Sequence, residues 1–211
     1  MWLWGELGRG KKELETFKYF ITHMSNMLLY NKELIILKEF TSDYSIKNYG
    51  RKLASKLKMN QKTVSNILNN LEKQHILKFT QDGKNKYYYI NKSNPSVKDI
   101  IKLIEINKRI MFFKEYNKLN DLFLEIEKRS RGLVIIFGSY ANLSSTKNSD
   151  MDIFAIGKVE DLQDLEALYN IKINIIYSSK DKFKLNDLFI KEIINSHIIL
   201  KGVEEYIDLT W

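Results

Sequence analysis

The sequence predicts an α+β protein built in two unlike parts with a helical connector between them. Three observations carry this. Residues 31–93 read as short helices followed by two alternating strands, whereas residues 131–211 alternate strands with helices. Charge divides the same way. Residues 31–93 carry 13 Lys and Arg against 5 Asp and Glu, an excess equal to the net +8 of the whole chain, while residues 131–211 carry 9 against 12. A basic part beside a mildly acidic one implies different partners for each. Finally, Asn94-Pro95-Ser96 holds the only proline, and a dense apolar helical pattern follows it.

Composition narrows the class of protein. With 44% hydrophobic and 28% charged residues the chain can bury a core. The absence of cysteine excludes disulfides and thiolate metal sites. His23, His75 and His197 are too far apart in sequence to suggest zinc. No apolar run nears the roughly 18 residues of a membrane span. Met1 to Gly5 lacks the basic and apolar regions of a signal peptide. The expectation is a soluble cytoplasmic protein with no membrane partner.

Residues 1–30 are expected to form an extension and a helix. Gly5, Gly8 and Gly10 break residues 1–10. From Lys11 to Tyr30, Leu14, Phe17, Phe20, Ile21, Met24, Met27 and Leu28 recur at three and four, the stripe of an amphipathic helix facing a core or a dimer interface. Glu33–Phe40 reads as a short helix and Ser45–Asn48 as a short strand. A second helix runs from Gly50 to Lys58 with Leu53, Ala54 and Leu57 inward, and Met59–Lys62 is a polar break. Thr63–Gln74 follows, burying Val64, Ile67, Leu68 and Leu71. Its exposed set is rich in amides and hydroxyls: Gln61, Lys62, Thr63, Ser65, Asn66, Asn69 and Asn70. Ile76–Thr80 and Lys86–Ile90 alternate as a hairpin around Gln81–Asn85.

This order, with Tyr49-Gly50-Arg51-Lys52-Leu53-Ala54, Thr63-Val64-Ser65 and Leu71-Glu72-Lys73-Gln74-His75-Ile76-Leu77-Lys78, resembles the winged helix-turn-helix family over roughly 60 residues. The resemblance implies double-stranded DNA as partner, with the helix from about Gln61 entering a major groove. Gln61, Lys62, Thr63, Ser65, Asn66 and Asn69 would then face base edges, and Lys84 and Lys86 on the wing would reach phosphates. Such DNA binders are usually dimers, so a homodimer is expected.

Residues 94–130 form the connector. Val97 to about Arg129 reads as one or two helices, too apolar for a solvated linker, and is expected to pack on both parts or on a second subunit. Ser130-Arg131-Gly132 breaks it before a strand from Leu133. Val159–Asn170 reads as a helix, Ile171–Tyr177 as a strand, Leu185–Ser196 as a helix, and Ile198–Leu200 as a short apolar run.

The chemistry concentrates between them. Leu133–Phe137 ends in Gly138-Ser139, ten residues follow, and Asp150-Met151-Asp152 comes next with apolar flanks. A Gly-Ser turn offers backbone N–H groups to an anion. Acids two apart share one face of a strand and repel unless a cation sits between them, a role that suits a hard divalent ion. The pattern over roughly residues 131–206 resembles the nucleotidyltransferase superfamily that includes DNA polymerase β, especially its minimal members. Ser149, Ala141 and Ile198-Ile199-Leu200-Lys201-Gly202 fit the same group.

The resemblance implies a mixed-sheet nucleotidyltransferase domain. Gly138 and Ser139 would hold an NTP, and the catalytic Asp150 and Asp152 would bind Mg²⁺ or Mn²⁺. The family's third acid falls on a later strand, where this chain has Asn174, which carries no negative charge and cannot act as a base. Leu143 stands where the family often has Gly. Three functions remain open at this point. The first is an enzyme moving a nucleoside monophosphate onto a protein, nucleic-acid or small-molecule hydroxyl; the minimal members include antitoxins that adenylylate a partner toxin. The second is a DNA-binding regulator whose degenerate domain senses a nucleotide. The third is an assembly module.

Overall fold

Two sheets organise the chain in the computed structural model, which describes residues 31–42 and 44–211. The expected extension and Lys11–Tyr30 helix lie outside the described residues. Three short helices come first: α1 (Lys32–Lys38), α2 (Gly50–Lys56) and α3 (Gln61–Lys73). Asn31 caps α1 by accepting from the Glu33 N–H at 2.7 Å, and Asn60 caps α3 by accepting from Lys62 and Thr63. An Asn at the N-cap satisfies backbone donors that a helix start leaves without partners. That cap starts α3 at Gln61, two residues before the apolar stripe suggests. A hairpin of β1 (Leu77–Asp82) and β2 (Asn85–Ile90) follows. The expected strand at Ser45–Asn48 contracts to a single bridge between Asn48 and Tyr88. The buried Asn48 side chain turns instead to the Glu39 carbonyl.

The connector divides into α4 (Ser96–Glu115) and α5 (Asn120–Lys128), with a 3₁₀ turn at Asn117–Leu119 between them. Next come β3 (Ser130–Phe137), the one-turn α6 (Gly138–Ala141), β4 (Met151–Val159), α7 (Gln163–Tyr169) and β5 (Ile173–Ser178). The helix α8 (Leu188–Asn195), β6 (His197–Lys201) and α9 (Val203–Thr210) close the chain. The four-stranded sheet has the order β5-β4-β3-β6. Its β3 pairs antiparallel with β4 and β6, and β4 pairs parallel with β5, so the sheet is mixed. The α+β class and the mixed sheet agree with the sequence expectation.

Three boundaries differ from the sequence expectation by three residues or more, each for a local reason. Ser130-Arg131-Gly132 is the start of β3 rather than a break, because Gly132 pairs with Gly157 of β4. A Cβ on Gly132 would lie 2.2 Å from the Ile156 carbonyl oxygen. Two glycines let the backbones approach at positive φ, where any side chain would collide. Val159 is the last residue of β4, buried against the sheet, so the helix expected from Val159 starts at Gln163. The Asp187 side chain accepts from the Ile190 N–H at 3.0 Å and starts α8 there, leaving Leu185 outside it.

The interior falls into two apolar clusters, one on each face of the larger sheet. One joins Ile36, Leu37 and Phe40 of α1 and Val64, Leu68 and Leu71 of α3 to Val97, Ile101 and Ile104 of α4. It continues through Leu133, Ile135 and Phe154 to Ile190 and Tyr206. The other packs Phe112, Leu122, Phe123 and Ile126 against Val134, Ile136, Ile153 and Ala155. Alternation along β3 and β4 sends successive side chains to opposite faces and so feeds both clusters. The connector thus packs on both parts of the chain. Among the described residues, no helix is long and apolar enough to cross a membrane.

Candidate functional site

The site forms at one end of the larger sheet. Pairing aligns His197, Phe137, Asp152 and Asn174 in one row across β6, β3, β4 and β5. Strand β3 ends at Phe137, and the chain turns at Gly138 with φ +69° into the single turn of α6. A Cβ on Gly138 would meet the Asp152 carboxylate oxygen at 2.9 Å. Both the left-handed backbone and the close carboxylate therefore require glycine here. The turn sets Gly138 against Asp152, and Ser139 follows it in the single turn of α6.

The ten-residue connection from Tyr140 to Ser149 is tied down at both ends. Ser144 N–H donates to the Ser139 carbonyl at 3.0 Å. Tyr116 and Ser145 share a hydroxyl–hydroxyl hydrogen bond of 2.7 Å. Thr146 N–H donates to Ser149 Oγ at 2.8 Å, closing a turn just before Asp150. Leu143 holds φ +55°, a left-handed backbone that suits the glycine often found at this position in the family it resembles.

Asp150 and Asp152 converge on one amide. Asn174 Nδ2 donates to Asp150 Oδ2 at 3.2 Å and to Asp152 Oδ1 at 3.1 Å. Lys172, which the sequence reading did not single out, places its Nζ 3.3 Å from Asp150 Oδ2. These contacts hold the Asp150 carboxyl below its usual pKa, chiefly through the Asn174 hydrogen bond and then through Lys172. The parallel pairing of β4 with β5 explains the geometry: Met151 N–H donates to the Lys172 carbonyl at 2.8 Å, bringing Lys172 and Asn174 beside the two acids. Lys172 lies outside any pattern of acids; the signal available was its place two residues before Asn174, immediately ahead of β5.

The residues fit a hard divalent ion. Two carboxylates whose oxygens surround one point, both partly open to solvent, match the one or two carboxylates that Mg²⁺ takes from protein alongside phosphate oxygens and water. Among the described residues no group of three or more His, Cys, Asp or Glu joins them.

The residues expected to read DNA lie apart from this site, on α3 and the hairpin. Gln61, Lys62, Asn66 and Asn69 are exposed, and Thr63 and Ser65 are half-buried. Asn69 Oδ1 accepts from the Tyr88 hydroxyl at 2.8 Å and so braces the hairpin against α3. Lys84 and Lys86 are both exposed at the hairpin tip. Lys86 Nζ stands 4.1 Å over the Phe79 ring.

The sequence model of the nucleotidyltransferase domain family matches residues 117–208. The matched span takes in α5, whose Leu122, Phe123 and Ile126 pack on the sheet. No curated protein matches the chain. Among solved structures, the crystal structure of the toxin-antitoxin with AMP-PNP is similar at 17% identity over 43% of this chain and 78% of that one, with a TM-score of 0.33.

Proposed function

We propose, from the nucleotidyltransferase match over residues 117–208, that the chain binds an NTP at the Gly138–Asp152 site and transfers its nucleoside monophosphate to a hydroxyl acceptor. The observation that carries this reading is the placement of the Gly138 turn against Asp152, with Asp150 and Asp152 facing one common point. The acceptor oxygen bonds to the α-phosphorus, the bond from that phosphorus to the β-phosphate oxygen breaks, pyrophosphate leaves, and the hydroxyl proton passes to solvent. A divalent ion bound by Asp150 and Asp152 would supply positive charge at the transferring phosphate. Gly138 and Ser139 orient the phosphate chain through backbone N–H groups and the Ser139 hydroxyl. Lys172 lies close enough to Asp150 to hold that carboxylate when phosphate is absent.

The acceptor class is open to a protein, a nucleic acid or a small molecule. A second reading, a DNA-binding regulator whose site senses a nucleotide with little turnover, is favoured by one observation: Asn174 donates hydrogen bonds where the resembling family has a third acid. In both readings residues 31–93 act as a winged helix-turn-helix module on duplex DNA, and the chain works as a homodimer. The three short helices, the braced hairpin and the basic excess of residues 31–93 support the DNA-reading half.

Incubation with labelled ATP, GTP, CTP or UTP and Mg²⁺, with and without cell extract, separates the two. Label transfer that disappears in Asp150→Asn/Asp152→Asn supports the transferase. NTP binding without transfer supports the sensor, and an absence of both overturns the site.

A further inference from the structure

A second cavity, lined by both polar and apolar side chains, lies on the opposite side of β3 from the acid pair. It offers about 330 Å³, partly open to solvent, where α1, α4, the turn after α6, the end of α8 and the start of β6 meet. Its described lining residues include Lys38, Ser42, Lys108, Asn142, Asn195 and Ser196, and no Asp or Glu. In the row across the sheet, Phe137 separates His197, which lines this cavity, from Asp152. Two strand spacings put the backbones of His197 and Asp152 about 10 Å apart.

Lys108 is fixed in place. Only 11% of its side chain is exposed, and Nζ lies 2.7 Å from Glu105 Oε2 and 3.0 Å from His197 Nε2. An ammonium has three N–H donors, so these two partners leave a third for the cavity that Lys108 borders. Glu105, 1% exposed, offsets one positive charge. Lys38 adds another from α1, and its charge acts with burial to weaken the hold of Lys108 on its proton. Lys108, and Lys38 from the exposed rim, therefore border one partly open space where amides and hydroxyls stand beside Met111, Phe112, Leu143 and Ile194, with a single carboxylate behind them. An oxyanion placed there would neutralise the excess charge and accept the remaining ammonium hydrogen, with the Asn142 and Asn195 amides as further donors, while the Ser196 hydroxyl already donates to Asn142 Oδ1.

We propose that this cavity binds the phosphate group of a small anion, free or carried by a nucleotide, at a site separate from the acid pair. The test uses the full chain as Asp150→Asn/Asp152→Asn in metal-free chloride buffer, titrated calorimetrically with pyrophosphate, inorganic phosphate and AMP. One saturable site per chain is expected. Lys38→Gln, on an exposed residue, should weaken binding at least tenfold with an unchanged melting temperature. Lys108→Met alone would leave Glu105 buried without its cation, so Glu105→Gln/Lys108→Met, which removes both charges, is the companion variant and should abolish binding. AMP binding tighter than inorganic phosphate identifies a nucleotide as the source; the reverse identifies the free anion. The proposal is overturned by the absence of saturable binding, by undiminished affinity in both cavity variants, or by loss of affinity in Lys172→Gln with Lys38→Gln unaffected.

Discussion

Asn174 donates its amide N–H groups to two carboxylates at once, in the space between the acids where a cation would be most strongly attracted. Replacing it by Asp adds a third negative charge beside the pair. Without a divalent ion, repulsion should lower the melting temperature of Asn174→Asp below that of the unsubstituted chain. Adding Mg²⁺ should restore it and raise label transfer at least tenfold; a melting temperature indifferent to Mg²⁺ would show that the three groups do not share an ion. Leu143 provides a second test. The residue is 55% exposed at φ +55°, so it gains little by burial while holding a backbone that costs an L-residue about 1 kcal/mol. Leu143→Gly should therefore stabilise the fold by up to about 1 kcal/mol in urea unfolding. Gly138→Ala should do the reverse by at least about 1 kcal/mol and should also weaken NTP binding, because its Cβ meets Asp152 at 2.9 Å. At this scale the sequence is informative about residue types. Gly138, Asp150 and Asp152 stood out from spacing and strand alternation, because a two-residue period sets which side chains share a face; Asn174 was reached only through the family resemblance. Lys172 did not stand out, because only the register of β5 against β4 brings it to Asp150.

Helix α4 carries more than the apolar stripe that identifies it. Glu105 and Lys108 lie one turn apart on it and meet His197 of β6, which is 2% exposed. Burial, and then Lys108, push the His197 pKa below its usual 6.5. Burial pushes Glu105 upward, but Lys108 and His197 outweigh it and leave the carboxyl at about 2. Both depressed groups bind more protons in the unfolded chain, so both make stability rise with pH. The His197 contribution declines as pH falls below 6.5 toward its lower folded value. The Glu105 contribution is present above 4.5 and is lost as pH falls toward about 2. Urea unfolding at pH 7.5, 6.5 and 5.5 should show stability falling with acid, by at most about 1.4 kcal/mol per pH unit for one proton. His197→Gln should flatten that slope; an unchanged slope would place the titrating group elsewhere. The periodicity of α4 was legible, but three charged or polar residues that are 92 positions apart at the extreme give no pattern along the chain. Element ends were also decided by contacts: the Gly132–Gly157 approach extended β3, and the Asp187 cap shortened α8.

Across the whole molecule, the face of the sheet that carries Phe154 shares one apolar cluster with α1, α3 and the first half of α4. A module that reads DNA would thus be in packed contact with the sheet that carries the acid pair. Duplex binding should weaken steeply with salt, and Lys84→Ala/Lys86→Ala should reduce the slope of log K against log salt by about 2 if both contact phosphate. Binding that keeps its slope in this variant would remove the hairpin tip from the interface. The sequence by itself determined the α+β class, the basic and mildly acidic parts, and the Gly-Ser and Asp-x-Asp pattern, because composition and short-period patterning are local properties of the chain. Tertiary structure decided the rest: the strand order β5-β4-β3-β6, the convergence of Asp150 and Asp152 on Asn174 with Lys172 beside them, and the burial of Glu105 against Lys108 and His197. Those depend on which strands pair and in what register, and pairing joins residues whose separation in sequence carries no information about their distance in space.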